Sequence, residues 1–227
     1  MPMKDLHKKA IAGLVNLFVV MAAALFLSAW TLSYWQGWIF LGAFFVPSLS
    51  ITLYLMRNDP GLLERRVHAG AASEKEKKQK VIQAFAGLAF IAVLALPGID
   101  HRFGWSAVPV YFVIAGDVLV VLGFLVIFRV FKVNTFTSGV IEVVAEQKVI
   151  STGPYAVVRH PMYSGALVML LGVPLALGSW WGLLTFIPMT IVIVVRLMDE
   201  ERFLARNLTG YPEYRDRVRY RLAPFVW

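Results

Sequence analysis

Six apolar stretches recur along the chain, separated by shorter polar segments. Most approach the length of about 20 residues that a helix needs to cross a bilayer. The pattern therefore predicts an all-α, polytopic membrane bundle of about five to six transmembrane helices. The predicted spans are roughly 11–34, 35–56, 81–97, 109–131, 162–177 and 180–198.

Two connections between these spans are too short for anything except a tight turn. The segment SYWQG joins the first two spans, and LGSWW joins the last two, with tryptophan at the expected interfacial depth. The last two spans are thus predicted to form a C-terminal helical hairpin. Six crossings place both termini on one side of the membrane.

Composition agrees with this interpretation. Hydrophobic residues make up 59% of the 227 residues and charged residues only 16%, whereas about a quarter of a soluble domain is charged. The absence of cysteine excludes a disulfide framework, a thiolate metal site and a cysteine nucleophile. The basic N-terminus precedes an apolar run without a small-residue cleavage site, so we expect an uncleaved first span.

The net charge of +8 is distributed very unevenly. Of all lysines and arginines, only Arg102 falls on the predicted far side, and seven arginines follow from Arg196 onward. The positive-inside rule then predicts cytoplasmic termini and a cytoplasmic active site. Within the basic second connection, Ser73 and Glu76 have capping-box spacing, which predicts the start of a helix. The basic residues of that connection are Arg57, Arg65, Arg66, Lys75, Lys77, Lys78 and Lys80.

The chain divides into two predicted regions, N-terminal transmembrane helices over residues 1–131 and a C-terminal region over 132–227 with a hairpin and a cytoplasmic tail. The C-terminal region contains GPYAVVRHPMYSG, a polar cluster immediately before an apolar helix. Pro161 suits the first helical position, with His160 near the N-cap and Arg159 just outside. Such a helix start attracts a carboxylate or phosphate. The alternative is that Arg159 extends to lipid headgroups and Tyr163 anchors the interface.

A second polar cluster follows the last span, in RLMDEERFLARNLTGYPEYRDR. Arg196 and Glu200 are four residues apart and share a helix face. Because the last two spans form a hairpin, we expect this face to lie opposite the Arg159/His160 cluster. A zwitterionic ligand would fit between them, with its amine toward Glu200 and its carboxylate toward the start of the helix.

These two motifs resemble the integral-membrane methyltransferases of the isoprenylcysteine carboxyl methyltransferase type, which are related to phospholipid methyltransferases. The resemblance covers residues 132–225 and implies S-adenosyl-L-methionine as methyl donor, with a lipophilic acceptor entering from the bilayer. It also implies that Arg196 addresses the acceptor and that Glu200 completes the cofactor site, so that Arg196, Glu200 and His160 form the catalytic set. The other implied cofactor contacts are Gln147, Lys148, Val149, Ile150, Tyr155, His160, Pro161, Met162 and Tyr163; Arg159 and Glu201 join them from the charge pattern.

Methyl transfer to an acceptor carboxylate needs no general base, because the acceptor is already ionised at neutral pH. The acceptor would be an isoprenylcysteine-like or isoprenoid acid. Three alternatives stay open: a phosphatidylethanolamine-type N-methyltransferase, a sterol-reductase-like NADPH enzyme, and a non-catalytic channel or scaffold. The acids at 199–201 argue against the NADPH enzyme, since its cofactor phosphate favours cations.

Two further groups of polar residues are less informative. Asp117 lies near the middle of a predicted span beside Gly116, where either a functional role or a buried hydrogen bond is consistent with the sequence. Asp100, His101 and Arg102 form the only charged patch on the far side. A single histidine with no nearby ligand does not favour metal binding, so we expect no metal site.

Overall fold

The computed structural model describes residues 2–67, 77–141, 143 and 147–227. In these ranges the chain is helical with no strand, which confirms the predicted all-α class. The predicted capping box at Ser73 and Glu76 lies outside the described residues. The helices are α1 (Met3–Ala29), α2 (Trp35–Asn58), α3 (Pro60–Val67), α4 (Lys77–Phe103), α5 (Val110–Val133), α6 (Pro161–Ala176), α7 (Phe186–Asn207) and α8 (Tyr211–Arg217), with 3₁₀ turns at Gly153–Ala156 and Trp181–Thr185.

Among the described residues, five helices are long and apolar enough to cross a membrane, namely α1, α2, α4, α5 and the segment formed by α7 with its preceding 3₁₀ turn. Helix α6 is apolar but has only 16 residues, about 24 Å at 1.5 Å per residue. The prediction of a multi-pass bundle with five to six membrane helices is therefore confirmed, with α6 as the short member.

Several predicted boundaries differ from the structure. The last long helix begins at Phe186 rather than near residue 180, because a 3₁₀ turn occupies the preceding five residues. The first helix ends at Ala29, where Trp30 adopts a left-handed φ of 57°. Neither irregular segment interrupts the hydrophobic pattern, so periodicity alone does not reveal them.

Helix α3 was not predicted. The side chain of Asp59 accepts a hydrogen bond from the Leu62 N–H at 2.9 Å, and Pro60 is the first helical residue. This is the ordinary start of a short helix. Leu62 and Leu63 are buried against α1, α2 and α5, so the basic connection returns to the bundle.

Helices α5 and α6 pack at glycine positions. A Cβ atom on Gly172 would lie 2.6 Å from the Gly116 carbonyl oxygen, and one on Gly123 would lie 2.6 Å from the Gly165 carbonyl oxygen. The two backbones therefore run close together at two levels of an antiparallel pair, as small residues allow in membrane helices. This fixes the start of α6 beside the end of α5.

The two ends of the bundle have different characters. At one end, which we call the site end, the start of α1, the end of α2, α3 and the end of α5 share an apolar cluster that includes Leu6, Leu55 and Phe131. At the opposite end, Asp100 is 1% exposed and accepts hydrogen bonds from the Ser106 N–H at 2.7 Å and from the hydroxyls of Ser106 and Ser179. The charged patch at the opposite end is therefore held by hydrogen bonds between connections.

Candidate active site

A cavity of about 720 Å³ opens at the site end, within the usual range for small-molecule sites. Its wall combines the loop 134–141, the residues before α6, the first turn of α6, the last turns of α7 and helix α8. The predicted site residues that line it are Gln147, Lys148, Val149, Ile150, Tyr155, Arg159, His160, Met162, Tyr163, Arg196 and Glu200.

Two predicted cofactor contacts, both in the described part of the chain, are not in the cavity wall. Pro161 occupies the first position of α6 and is buried. Glu201 is 7% exposed and directs its carboxylate behind the wall, toward three cationic or imidazole side chains. Both residues are therefore packed behind the cavity wall and do not line it.

The chain enters α6 through a sharp turn. Gly153 has a φ of 58°, a conformation that favours glycine, and a Cβ atom there would lie 3.1 Å from a methyl group of Val133. The 3₁₀ turn follows, and His160 is the N-cap of α6, as predicted. The N–H groups of Met162 and Tyr163 lie in the first helical turn, where a helix offers them no partner. Both residues line the cavity.

Among the described residues, Glu200 is the acid that lines the cavity. Its Oε2 accepts a hydrogen bond of 2.6 Å from the Tyr163 hydroxyl, which connects α7 to the first turn of α6. Both side chains line the cavity wall. The predicted meeting of the two polar clusters is therefore present in the structure, through this pair.

Arg159 contributes little free charge to the cavity. Its Nε donates to Glu201 Oε1 at 2.7 Å, and its Nη1 donates to the carbonyls of Val218 and Arg219 at 2.9 and 3.0 Å. The opposing carboxylate is close enough to balance the guanidinium charge. A ligand at the start of α6 would therefore interact mainly with the partial positive charge of the helix N-terminus.

The C-terminal tail is fastened across the start of α6. The backbone N–H groups of Arg159 and His160 donate to the carbonyls of Tyr220 and Arg221 at 2.9 and 3.0 Å. The Arg221 guanidinium also donates to Glu201 Oε2 at 3.0 Å. Glu201 therefore joins the tail to α7 and to the residues before α6, behind the cavity wall.

Three tyrosines give the cavity an aromatic wall. Tyr214 donates to the Tyr155 carbonyl at 2.8 Å, and Asn134 donates to the Tyr155 hydroxyl at 2.9 Å. Burial raises the pKa of Tyr155 to about 12 and raises the pKa values of Tyr211 and Tyr214 still further. All three phenols stay protonated at neutral pH. The Tyr211 hydroxyl has no hydrogen-bond partner among the described residues, so it is one donor available to a ligand.

Arg196 lies one helical turn before Glu200, on the same side of α7. Its Nη1 donates to the Gln79 side-chain oxygen at 3.2 Å, and its Nη2 donates to the Gly139 carbonyl at 3.0 Å. Gln79 in turn donates to Asp199 at 3.1 Å. These contacts hold the guanidinium at the cavity wall beside α4.

Sequence reasoning missed several cavity residues, among them Arg66, Gln83 and Asn134. Arg66 belongs to the basic connection and was interpreted as topological charge. The only sequence signal for its position was the Asp59-Pro60 helix start, which shows that the connection is structured. Nothing in the spacing of Gln83 or Asn134 connects either residue with the C-terminal motifs.

Comparison with known proteins identifies the region that contains most of this site. Residues 111–209 match the phospholipid methyltransferase (PEMT) family. The match includes α6, α7 and nearly all of α5, covers less than half of the chain, and confirms the resemblance stated from the two motifs. The family indicates a membrane methyltransferase that acts on lipid-like substrates and implies S-adenosylmethionine as donor. No curated protein matches the chain significantly.

Proposed function

We propose that this protein transfers the methyl group of S-adenosylmethionine to the carboxylate of a lipophilic acceptor, an isoprenylcysteine-like or isoprenoid acid. The observation that carries the proposal is the placement of Glu200, Tyr163 and Arg196 on one cavity wall at the end of apolar helices. One acid and one arginine, a helical turn apart, suit a cationic donor beside an anionic acceptor.

The cavity residues fit the donor molecule. Glu200 would hold its ammonium group, and the first-turn N–H groups of Met162 and Tyr163 would hold its carboxylate. The rings of Tyr155, Tyr211 and Phe136 in the cavity wall offer apolar faces to a purine. The hydroxyls of Tyr211 and Thr137 have no hydrogen-bond partner in the described part of the chain, and a bound ligand would satisfy these buried polar atoms.

The residues of the chain would act by positioning. S-adenosylmethionine, when bound, supplies a methyl group on a positively charged sulfur that leaves as a neutral thioether. Arg196 would hold the acceptor carboxylate with its planar guanidinium and direct one oxygen along the line of displacement. Helix α8, whose Tyr211 and Tyr214 line the cavity, would help to exclude water. Since the acceptor is already an anion, no side chain has to remove a proton, and the contribution is alignment and fixed charge.

A second candidate acceptor is the amine of a phosphatidylethanolamine-type lipid, which the description of the matching family favours. An ammonium acceptor must lose a proton before attack. Glu200 is the cavity carboxylate that could accept it, although the same group is assigned to the donor's ammonium above. The two acceptors therefore make different demands on Glu200.

Two measurements on the purified protein test the proposal. Calorimetric titration with S-adenosylmethionine and with NADPH should show binding of the first and not the second. Methyl transfer should then be assayed with a panel of lipophilic carboxylic acids and lipid amines. Transfer confined to amines would replace the carboxylate assignment with the phospholipid one. Binding of NADPH alone would remove the methyltransferase proposal.

The acceptor would reach the cavity from the bilayer, and the site would lie on the cytoplasmic side with both termini. The charge distribution supports this sidedness, because the described basic residues of α1, α3 and the tail lie at the site end.

A further inference from the structure

Arg66 in α3 is a cavity-wall arginine in the part of the chain that the family match does not cover. Its Nη1 donates to the Ser138 carbonyl at 3.1 Å and lies 3.9 Å from the Met162 sulfur. Its guanidinium carbon lies 5.3 Å from the centre of the Phe131 ring. Helix α3 therefore brings a cation from the N-terminal region into the predicted methyltransferase site.

Arg66 and Arg196 are neighbours in the wall. Arg66 donates to the carbonyl of Ser138, and Arg196 donates to the carbonyl of the next residue, Gly139, at 3.0 Å. Consecutive carbonyls of one chain keep the two guanidinium groups close together. Helices α3 and α7 thus present two like charges on the same side of the cavity.

The charge of Arg66 has no carboxylate partner among the described residues. Its contacts are a neutral carbonyl, a thioether and an aromatic ring. Burial, together with repulsion from Arg196, lowers the pKa of Arg66, although a guanidinium remains protonated in a protein. A half-buried cation beside another cation is stabilised by a bound anion.

Arg159, the cavity arginine near the start of α6, does have a carboxylate partner. Arg159 is balanced by Glu201 at 2.7 Å and by carbonyls of the tail. Among the described residues, Arg66 therefore places a positive charge without a carboxylate partner on the α3 side of the cavity, close to the first turn of α6.

We propose that Arg66 determines acceptor specificity: with Arg196 it binds the anionic headgroup, a carboxylate or a phosphate, of a lipophilic acceptor. The inference rests on the proposed function for the identity of the reaction, but the anion site itself is a property of the cavity. Acceptor choice is then set partly by α3, outside the family match. Planar guanidinium groups can donate paired hydrogen bonds to the oxygens of a planar carboxylate or of a tetrahedral phosphate.

Binding of three matched amphiphiles tests the site without any turnover. Full-length protein in a nonionic detergent is titrated with dodecanoate, dodecyl phosphate and dodecanol, in the absence of S-adenosylmethionine. We expect at least one anion to bind about tenfold or more tightly than the alcohol, since charge-assisted hydrogen bonds are the strong ones. Arg66→Gln should weaken anion binding by about ten- to hundredfold and leave dodecanol unchanged. A preference for the carboxylate or for the phosphate identifies the headgroup.

Arg65→Gln is the matched control. Arg65 also belongs to α3 and donates to a carbonyl of the loop 134–141, that of Thr135, but it does not line the cavity. We expect wild-type anion affinity in Arg65→Gln. An equal loss in both variants would show that the arginines only hold the loop, and unchanged anion affinity in Arg66→Gln would also overturn the proposal.

Arg66→Lys controls for a loss of binding that is caused only by misfolding. Because lysine keeps the charge, this variant should retain part of the anion preference, with a melting temperature in detergent close to that of the wild type. A wild-type preference for anions without S-adenosylmethionine binding would overturn the proposed function and leave the anion site standing. S-adenosylmethionine binding without any anion preference in the wild type would overturn the anion site alone.

Discussion

Glu200 and Glu201 are adjacent in the sequence but face different surroundings. Glu200 lies in the cavity wall beside Tyr163, whereas Glu201 is enclosed by Arg159, His160 and Arg221. Successive residues of a helix point about 100° apart, so one of the two acids faces the cavity and the other faces the tail. The structure therefore separates an acid in the cavity wall from an acid that holds the tail.

Glu200→Gln should weaken S-adenosylmethionine binding and leave the fold intact. Loss of a charge-assisted hydrogen bond costs about 1.5–3 kcal/mol, roughly ten- to hundredfold in affinity. Calorimetry with S-adenosylmethionine measures the affinity, and a thermal melt in detergent checks the fold. Wild-type affinity in this variant would remove Glu200 from the donor site.

Glu201→Gln, by contrast, should lower the stability of the protein. Removing the charge leaves the buried Arg159 without its carboxylate, and breaking one partner of such a buried pair costs about 3–5 kcal/mol. We expect a lower melting temperature and faster proteolysis of the tail after Arg217. A variant that is as stable as the wild type but fails to bind S-adenosylmethionine would contradict the structural assignment of Glu201.

Arg196→Lys tests whether this residue positions the acceptor. Lysine keeps the charge but lacks the planar fork, and misalignment at a reacting centre can cost on the order of a hundredfold in rate. Donor affinity should change little, since the predicted donor contacts are Glu200 and the first turn of α6. Full methyl-transfer activity in the variant would show that Arg196 is only a topological charge.

The sequence singled out 11 of the 25 described residues that line the cavity, but it did not indicate their separate surroundings. The motif around His160 and the acids after Arg196 are local patterns, so their composition already indicates a polar site. The partners of Glu201 include Arg221, twenty residues away in a tail with no periodic pattern. Which acid faces the ligand depends on the rotation of α7, which only tertiary packing fixes.

At the scale of elements, hydrophobic pattern predicted the long helices well and the short ones poorly. Long apolar stretches leave few alternatives to a helix in a bilayer, because backbone groups must be satisfied internally. Helix α3 has only eight residues and two buried leucines, so its signal is weak. Yet α3 contributes Arg66, and the missed element therefore matters for the site.

Gly172→Ala should destabilise the contact between α5 and α6. The new Cβ atom would lie 2.6 Å from the Gly116 carbonyl oxygen and 2.8 Å from the Leu119 Cβ atom, so the helices must separate. Overpacking of this kind costs about 1–3 kcal/mol. A thermal melt in detergent measures the loss.

Gly13→Ala is the matched control for that variant, because a Cβ atom on Gly13 of α1 would have no atom within 4 Å among the described residues. We expect an unchanged or slightly higher melting temperature, since alanine favours the helix by about 1 kcal/mol over glycine. If both variants melt alike, the close approach of α5 and α6 is not a source of stability.

At the scale of the whole molecule, the bundle separates a cavity end from an end fastened by hydrogen bonds. The starts of α1 and α6, the ends of α2, α5 and α7, and helix α3 meet at the site end. Asp100 and Tyr34 secure the connections at the opposite end. The described basic residues also gather at the site end. The positive-inside rule therefore predicts the same side of the membrane for the cavity and both termini.

A topology experiment tests this orientation. Reporters fused at either terminus, or inserted after Ser73, should report the cytoplasm, and one inserted after His101 should report the far side, because nearly all lysines and arginines avoid that side. The fusion after His101 is the internal control, since it lies at the opposite end of α4. If the Ser73 insertion reported the far side while the termini reported the cytoplasm, α3 could not lie beside the start of α6. The shared cavity wall of Arg66 and Arg196, and with it the anion site, would then be excluded by topology alone.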